Sequence, residues 1–170
     1  MLHLKRMLHV ATWGSILFDR HSNFTAAHQG TIDSWLVSAW KNAAREQILP
    51  QAEAYAGLVT RYHYKETLLN RPSLWFVDNE AARYSLIKGA SPSLSTFVLI
   101  REISMIDAEQ PTGAWYERVP SASNIADLPS RGDHMRACEI ANGVAKGDIR
   151  LNSCTYDRLK ATSFEDLPAR

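Results

Sequence analysis

Apolar positions change period several times along the chain. Trp13-Gly-Ser-Ile-Leu-Phe18 is a short apolar run bounded by turn chemistry from Asp19 to Asn23, and it predicts a strand. Residues 24–40 keep no single period; Gly30 and Asp33 punctuate them, and Trp35, Leu36 and Trp40 predict a covering segment. From Gln47 to about Tyr64 the period becomes helical, with Ala52, Tyr55, Val59 and Tyr62 on one face. Pro50 falls in the first turn, where its missing N–H costs nothing. Leu74-Trp-Phe-Val77 is apolar without alternation, which predicts a strand covered on both faces, ended by Asp78. Glu80 to Lys88 reads as a short helix closed by Gly89. Ser91 and Pro92 read as the cap and first position of the next helix, with an inner stripe of Leu94, Phe97, Val98 and Met105. Gln110-Pro-Thr-Gly113 ends that helix. Ala114 to Val119 reads as a strand stopped by Pro120. Ser123 or Asn124 then caps a short helix that contains Asp127 and ends before Pro129. Beyond Gly132 the chain is polar, with one helix expected around Arg136–Val144, no clear strand and partial disorder. Strands alternating with helices predict an α/β or α+β sheet with helices packed on it.

Composition narrows the class. The chain has 170 residues, 45% of them hydrophobic and 22% charged, with a net charge of +1. These values suit a folded chain rather than a disordered one. Nineteen basic residues against eighteen acidic give no strong global field, so charge alone does not imply a nucleic acid partner. Cys138 and Cys154 form no metal-ligand spacing and read as reduced thiols of an intracellular protein. No apolar run approaches the ~18 residues of a membrane span. Met1 to Val10 is basic and acid-free, lacks the core of a secretory signal, and is compatible with an organelle presequence.

Three carboxylates fall at special places. Asp78 lies at the carboxyl end of a predicted buried strand, where open α/β sheets place ligands. Asp127 lies in the first turn of the last helix, and Glu53 on the helix preceding the Asp78 strand. Helices packed on the sheet bring all three to one edge. Converging carboxylates repel one another, and hard oxygen ligands select Mg²⁺ or Mn²⁺ as the compensating charge. Each residue also has a plainer reading: Glu53 facing solvent, Asp78 capping the next helix, Asp127 partnering an Asn124 cap.

The flanking residues carry a resemblance. Leu74-Trp-Phe-Val-Asp-Asn-Glu-Ala-Ala-Arg-Tyr-Ser-Leu-Ile-Lys-Gly-Ala-Ser91 resembles the third-carboxylate segment of ribonuclease H domains in retroelement (retrotransposon) reverse transcriptases. Val119-Pro-Ser-Ala-Ser-Asn-Ile-Ala-Asp-Leu-Pro-Ser-Arg131 resembles that family's closing motif. Gln47 to Ala56 resembles its first helix, and Trp13 to Phe18 the second strand of its opening hairpin. Only Gly89-Ala90 separates two helices, leaving no room for the basic helix of some cellular members. The resemblance spans roughly Ala11 to Gly132, so the chain divides into a non-matching segment 1–10, a domain 11–132 and an extension 133–170.

The resemblance implies a mixed five-stranded sheet with helices on both faces. It implies a nuclease, a hydrolase cutting RNA in an RNA–DNA hybrid with two Mg²⁺ or Mn²⁺ ions. Glu53, Asp78 and Asp127 would be catalytic and metal-binding. Asn79, Arg83, Lys88, Asn124 and Arg131 would contact nucleic acid, selected by duplex shape and 2′-hydroxyls. Partners would be duplex nucleic acid and the polymerase part of the same polyprotein.

The chain departs from the pattern at its start. The family's first catalytic Asp lies on a first strand upstream of the Trp-Gly strand, and Met1 to Val10 contains no acid. That first strand is therefore incomplete or replaced. Asp19, the first acidic residue, follows the second strand, and a hairpin would carry it away from the catalytic end. The loop Pro120 to Asn124 lacks the family's histidine; His134 lies past the helix. Two expectations result: a metal-dependent ribonuclease H-like domain, or an inactive relative that binds duplex nucleic acid without cleaving it.

Overall fold

The computed structural model describes residues 11–19, 24–44, 48–133, 149–153 and the single positions Arg136, Ala137, Ile140, Tyr156 and Leu159. The readings of Met1–Val10, Gln47, His134, both cysteines and most of the extension lie outside the described residues. The architecture is mixed α/β. In chain order it runs β1 (Thr12–Asp19), β2 (Phe24–Thr31), α1 (Ser34–Ala44), α2 (Leu49–His63), α3 (Lys65–Leu68), β3 (Pro72–Val77), α4 (Glu80–Lys88), α5 (Leu94–Glu109), β4 (Gly113–Arg118), a 3-10 turn (Ser121–Ser123), α6 (Asp127–Ser130) and β5 (Ile149–Ser153).

The described strands form two sheets. One has the order β1-β2-β5, with β1 and β2 antiparallel and β5 parallel to β2. The other is the parallel pair β3-β4, with Pro72 opposite Gly113 and Val77 opposite Arg118. These strands thus divide three and two, where a single five-stranded sheet is expected. β5 is also new relative to the sequence reading, which finds no strand after Gly132. It is only five residues long, with Ile149 and Leu151 as its apolar positions in a polar stretch, and it pairs with β2, far away in sequence.

The main core joins α1, α2 and α5 to β1. It contains Trp13, Leu36, Trp40, Tyr55, Leu58, Val59, Leu99 and Ile103. Tyr55 sits edge-on to both Trp13 and Trp40. The predicted stripe Ala52, Tyr55, Val59 and Tyr62 belongs to this core or packs against it. The stripe predicted for α5 is corrected: Val98, Leu99, Ile100, Ile103 and Ile106 are buried, while Phe97 and Met105 are exposed. That helix carries apolar residues around much of its circumference, so their spacing alone cannot fix its phase.

Local chemistry corrects several boundaries. Ser93, not Ser91, caps α5, its hydroxyl accepting from the Thr96 N–H at 3.4 Å. Ser91 accepts instead from the Ser93 N–H, which keeps Pro92 in the preceding turn. Pro129 lies inside α6 rather than beyond it; a first helical turn needs no N–H from that position. Gly89 closes α4 in the left-handed region, φ 64°, as its place after Lys88 predicts. The continuous run of β3 proves covered on one face only: Leu74 is 56% and Phe76 62% exposed, beside Trp115 at 66%.

Candidate functional site

Asp78 directly follows β3. Its carboxylate is not the cap of α4, because Asn79 takes that role, its Oδ1 accepting from the Ala82 N–H at 3.0 Å. Glu53 stands on the second turn of α2, half-buried. Asp127 is the first residue of α6. That short helix is seated on β1 at Gly14, where a Cβ would fall 2.6 Å from both the Ala126 carbonyl oxygen and the Ser130 nitrogen. A glycine inside a strand marks such a close backbone approach. The Asn124 side chain accepts from the Ala126 N–H at 3.1 Å, which fixes the entry into α6.

These elements bring the three carboxylates together. Burial pushes the Glu53 carboxyl up to about 8. The negative charge of Asp78 and a hydrogen bond with its side chain add to this, followed by the charge of Asp127. Glu53 is therefore held well above the ordinary carboxylate range. Asp127 acts through space and is itself paired with Arg131 at 3.0 Å. The donor chemistry, all carboxylate oxygen, suits a hard divalent cation. As placed, however, the three do not enclose one: among the described residues no group of three or more His, Cys, Asp or Glu could hold a metal ion.

Glu53 and Asp127 line a cavity of about 930 Å³, and Asp78 follows Val77 at its border. Every residue of β1 and every residue of β3 lines it, with Ala52, Glu53, Ala56 and Gly57 of α2 and Asn124 to Asp127 at the α6 end. Arg71, which also lines it, reaches across to Asp19 with two hydrogen bonds of 2.9 and 2.6 Å. Asp19 is thereby held away from Glu53, as the hairpin predicts. This clasp also fixes direction: the end of β1 lies beside the start of β3, so the two strands run oppositely.

The expected nucleic acid contacts are partly engaged elsewhere. Asn79 is the cap of α4, whereas Asn124, expected to cap α6, accepts from the Ala126 N–H in the turn before it, and Ala126 holds the cap position. Arg83 pairs with Glu80 at 3.0 Å and lies over the Tyr84 ring, which Lys88 also approaches at 5.9 Å. Arg83 and Lys88 thus share one aromatic on α4, while Arg131 stands with Asp127. Trp40 is core, whereas Trp115 is exposed and donates to Glu117 at 2.8 Å. Sequence reasoning does not find the Arg71–Asp19 clasp or the pair at 2.6 Å between buried Arg61 and half-buried Asp107, since neither has a local motif. The glycine of Trp13-Gly14 was a readable signal for the α6 seat.

Among the described residues no helix is long and apolar enough to cross a membrane. Comparison of the chain with protein-family models, curated proteins and solved structures returns no match.

Proposed function

We propose that the chain is a ribonuclease H-like domain of retroelement origin, with its working end at Glu53, Asp78 and Asp127. One observation supports this reading: Asp78 at the end of β3 and Asp127 at the start of α6 both act on the half-buried Glu53 of α2. The five-stranded sheet of that fold would arise if one further strand joined the two sheets. Burying mutually repelling carboxylates costs stability unless charge is supplied, which is the usual mark of a functional site. Bound Mg²⁺ or Mn²⁺ would supply charge neutralisation and Lewis acidity there. Glu53, Asp78 and Asp127 would hold the ions, with Glu53 giving up its proton and Asp127 exchanging Arg131 for the cation. Arg83 and Lys88 would face the phosphates of an RNA–DNA hybrid.

Cleavage of a labelled hybrid in Mg²⁺ or Mn²⁺, beside Asp78→Asn, tests the reading. Internal cuts in the RNA strand that vanish in the variant support it; cuts that persist in the variant overturn it. A second reading is favoured by the open donor set: a domain that binds duplex nucleic acid without cleaving it. It predicts hybrid binding that weakens with salt and yields no product.

A further inference from the structure

Two arginines share one carboxylate at the start of α4. Glu80, the first residue of α4, holds Arg83 through two hydrogen bonds, from Nε at 3.2 Å and from Nη2 at 3.0 Å. The Arg118 Nε stands 3.9 Å from the same carboxylate, beyond hydrogen-bond length. The two cations differ in freedom. Arg83 is 16% exposed, fixed by that bidentate pair and lying over the Tyr84 ring, whereas Arg118 is 66% exposed. Backbone register places Arg118 beside Asp78. It lies opposite Val77 on the neighbouring strand, the Val119 N–H donates to the Val77 carbonyl at 3.2 Å, and Asp78 comes next in the chain. Paired strands lie about 4.8 Å apart, so the Arg118 backbone is one strand's width from the end of β3. One carboxylate against two guanidinium groups leaves a positive charge. Lys88, on the same helix, adds a second, and Glu117, whose charge also reaches Arg83, offsets one, so the cluster stays positive.

We propose that Arg118 is a phosphate-binding residue for duplex nucleic acid, gripping a backbone phosphate beside the one presented to Asp78, with Glu80 parking its guanidinium until the phosphate arrives. The choice of partner rests on the ribonuclease H-like reading. A phosphate oxygen at hydrogen-bond distance gives Arg118 the charge-assisted bond that its 3.9 Å contact with Glu80 lacks. The planar fork of a guanidinium also matches phosphate geometry, which an ammonium does not. Arg83 keeps its two hydrogen bonds to Glu80 throughout. The exchange therefore breaks no hydrogen bond and leaves no carboxylate unpaired. Glu80 has two opposing effects. It holds the Arg118 side chain near the strand end, and its negative charge repels the incoming phosphate. Arg118 is tethered by β4 whether or not Glu80 is charged, so the repulsion is the larger effect. Glu80 thus restrains binding, and neutralising it strengthens the grip.

Fluorescence anisotropy of a labelled RNA–DNA hybrid with the full chain, in EDTA and over a series of potassium chloride concentrations, tests it. EDTA keeps metal-dependent cleavage from consuming the probe. Arg118→Ala should weaken binding severalfold at low salt and lower the slope of log affinity against log salt by about one. Arg118→Lys should keep the slope and lose part of the affinity, which leaves the test open should the alanine variant unfold. Glu80→Gln should bind severalfold tighter than the wild type, whereas a merely structural Glu80 would make it bind more weakly. Arg101→Ala removes an exposed arginine from α5, where it pairs with Glu102 at 3.4 Å, and should leave the slope unchanged. Circular dichroism checks the fold of each variant. An unchanged slope in Arg118→Ala, an equal loss in Arg101→Ala, weaker binding by Glu80→Gln, or no salt-dependent binding by the wild type would overturn the proposal. Cleavage that depends on Asp78 beside an unchanged Arg118→Ala slope would remove this proposal and leave the nuclease reading. A slope lost in Arg118→Ala, with no cleavage by the wild type, would do the reverse.

Discussion

Replacing Gly14 by alanine tests how the third carboxylate is held. The added methyl would lie 2.6 Å from the Ala126 oxygen and the Ser130 nitrogen, and 3.1 Å from the Ser130 Cβ. Ordinary contact begins at 3.4 Å, so the α6 backbone must retreat by about 0.8 Å or β1 must bend. The obstacles are main-chain atoms, which cannot rotate aside as a side chain can. Overpacking of this kind costs about 1–3 kcal/mol, and rigid obstacles place Gly14→Ala toward the upper part of that range. Urea unfolding at neutral pH measures it. Gly57→Ala is the matched control, because its Cβ enters open space and alanine favours the helix by about 0.5–1 kcal/mol. The retreat would also carry Asp127 away from Glu53, weakening any Mg²⁺-dependent rise in stability. If Gly14→Ala unfolds at the same urea concentration as the wild type, α6 is not seated on β1 as described.

Two further predictions concern stability. His28 is buried, and burial together with the neighbouring His63 lowers its pKa to about 4. The unfolded chain therefore takes up a proton below about pH 6.5 that the folded chain refuses until about pH 4. Stability falls across that window, by about 3 kcal/mol at its acid end, and His28→Gln should flatten the loss in unfolding curves measured from pH 7 to pH 4. Arg61 is 2% exposed and donates to Asp107 and to the Gln110 carbonyl. Asp107→Ala should cost about 2–4 kcal/mol, less than a fully buried pair because Asp107 is partly exposed; a change under 1 kcal/mol in chemical unfolding would refute a structural role for the pair.

Local signals were readable where the chemistry is local. Gly89 after Lys88 and Pro50 in the first turn of α2 each depend on a few neighbouring residues, and each stands as read; the apolar run before Asp78 is a strand as read, but not one covered on both faces. The cap of α5 lies two residues beyond the one the sequence suggests, because Ser91 and Ser93 offer the same hydroxyl. β5 escapes the sequence reading because it is short and pairs with β2, far away in sequence. An unbroken apolar run does not say which neighbours exist, so the exposure of Leu74 and Phe76 on β3 is not legible in it. Of the site, the convergence of Glu53, Asp78 and Asp127 was legible from helix and strand positions. The clasp between Asp19 and Arg71 was not, because two isolated charges 52 residues apart carry no pattern.

Asp19 and Arg71 join the end of β1 to the start of β3 and so set the spacing of the two strands there. Asp127 is anchored to β1 through its seat at Gly14, and Asp78 follows β3. The distance between these two acidic groups is therefore set by the spacing of the strands, as the span of a bridge is set by its piers.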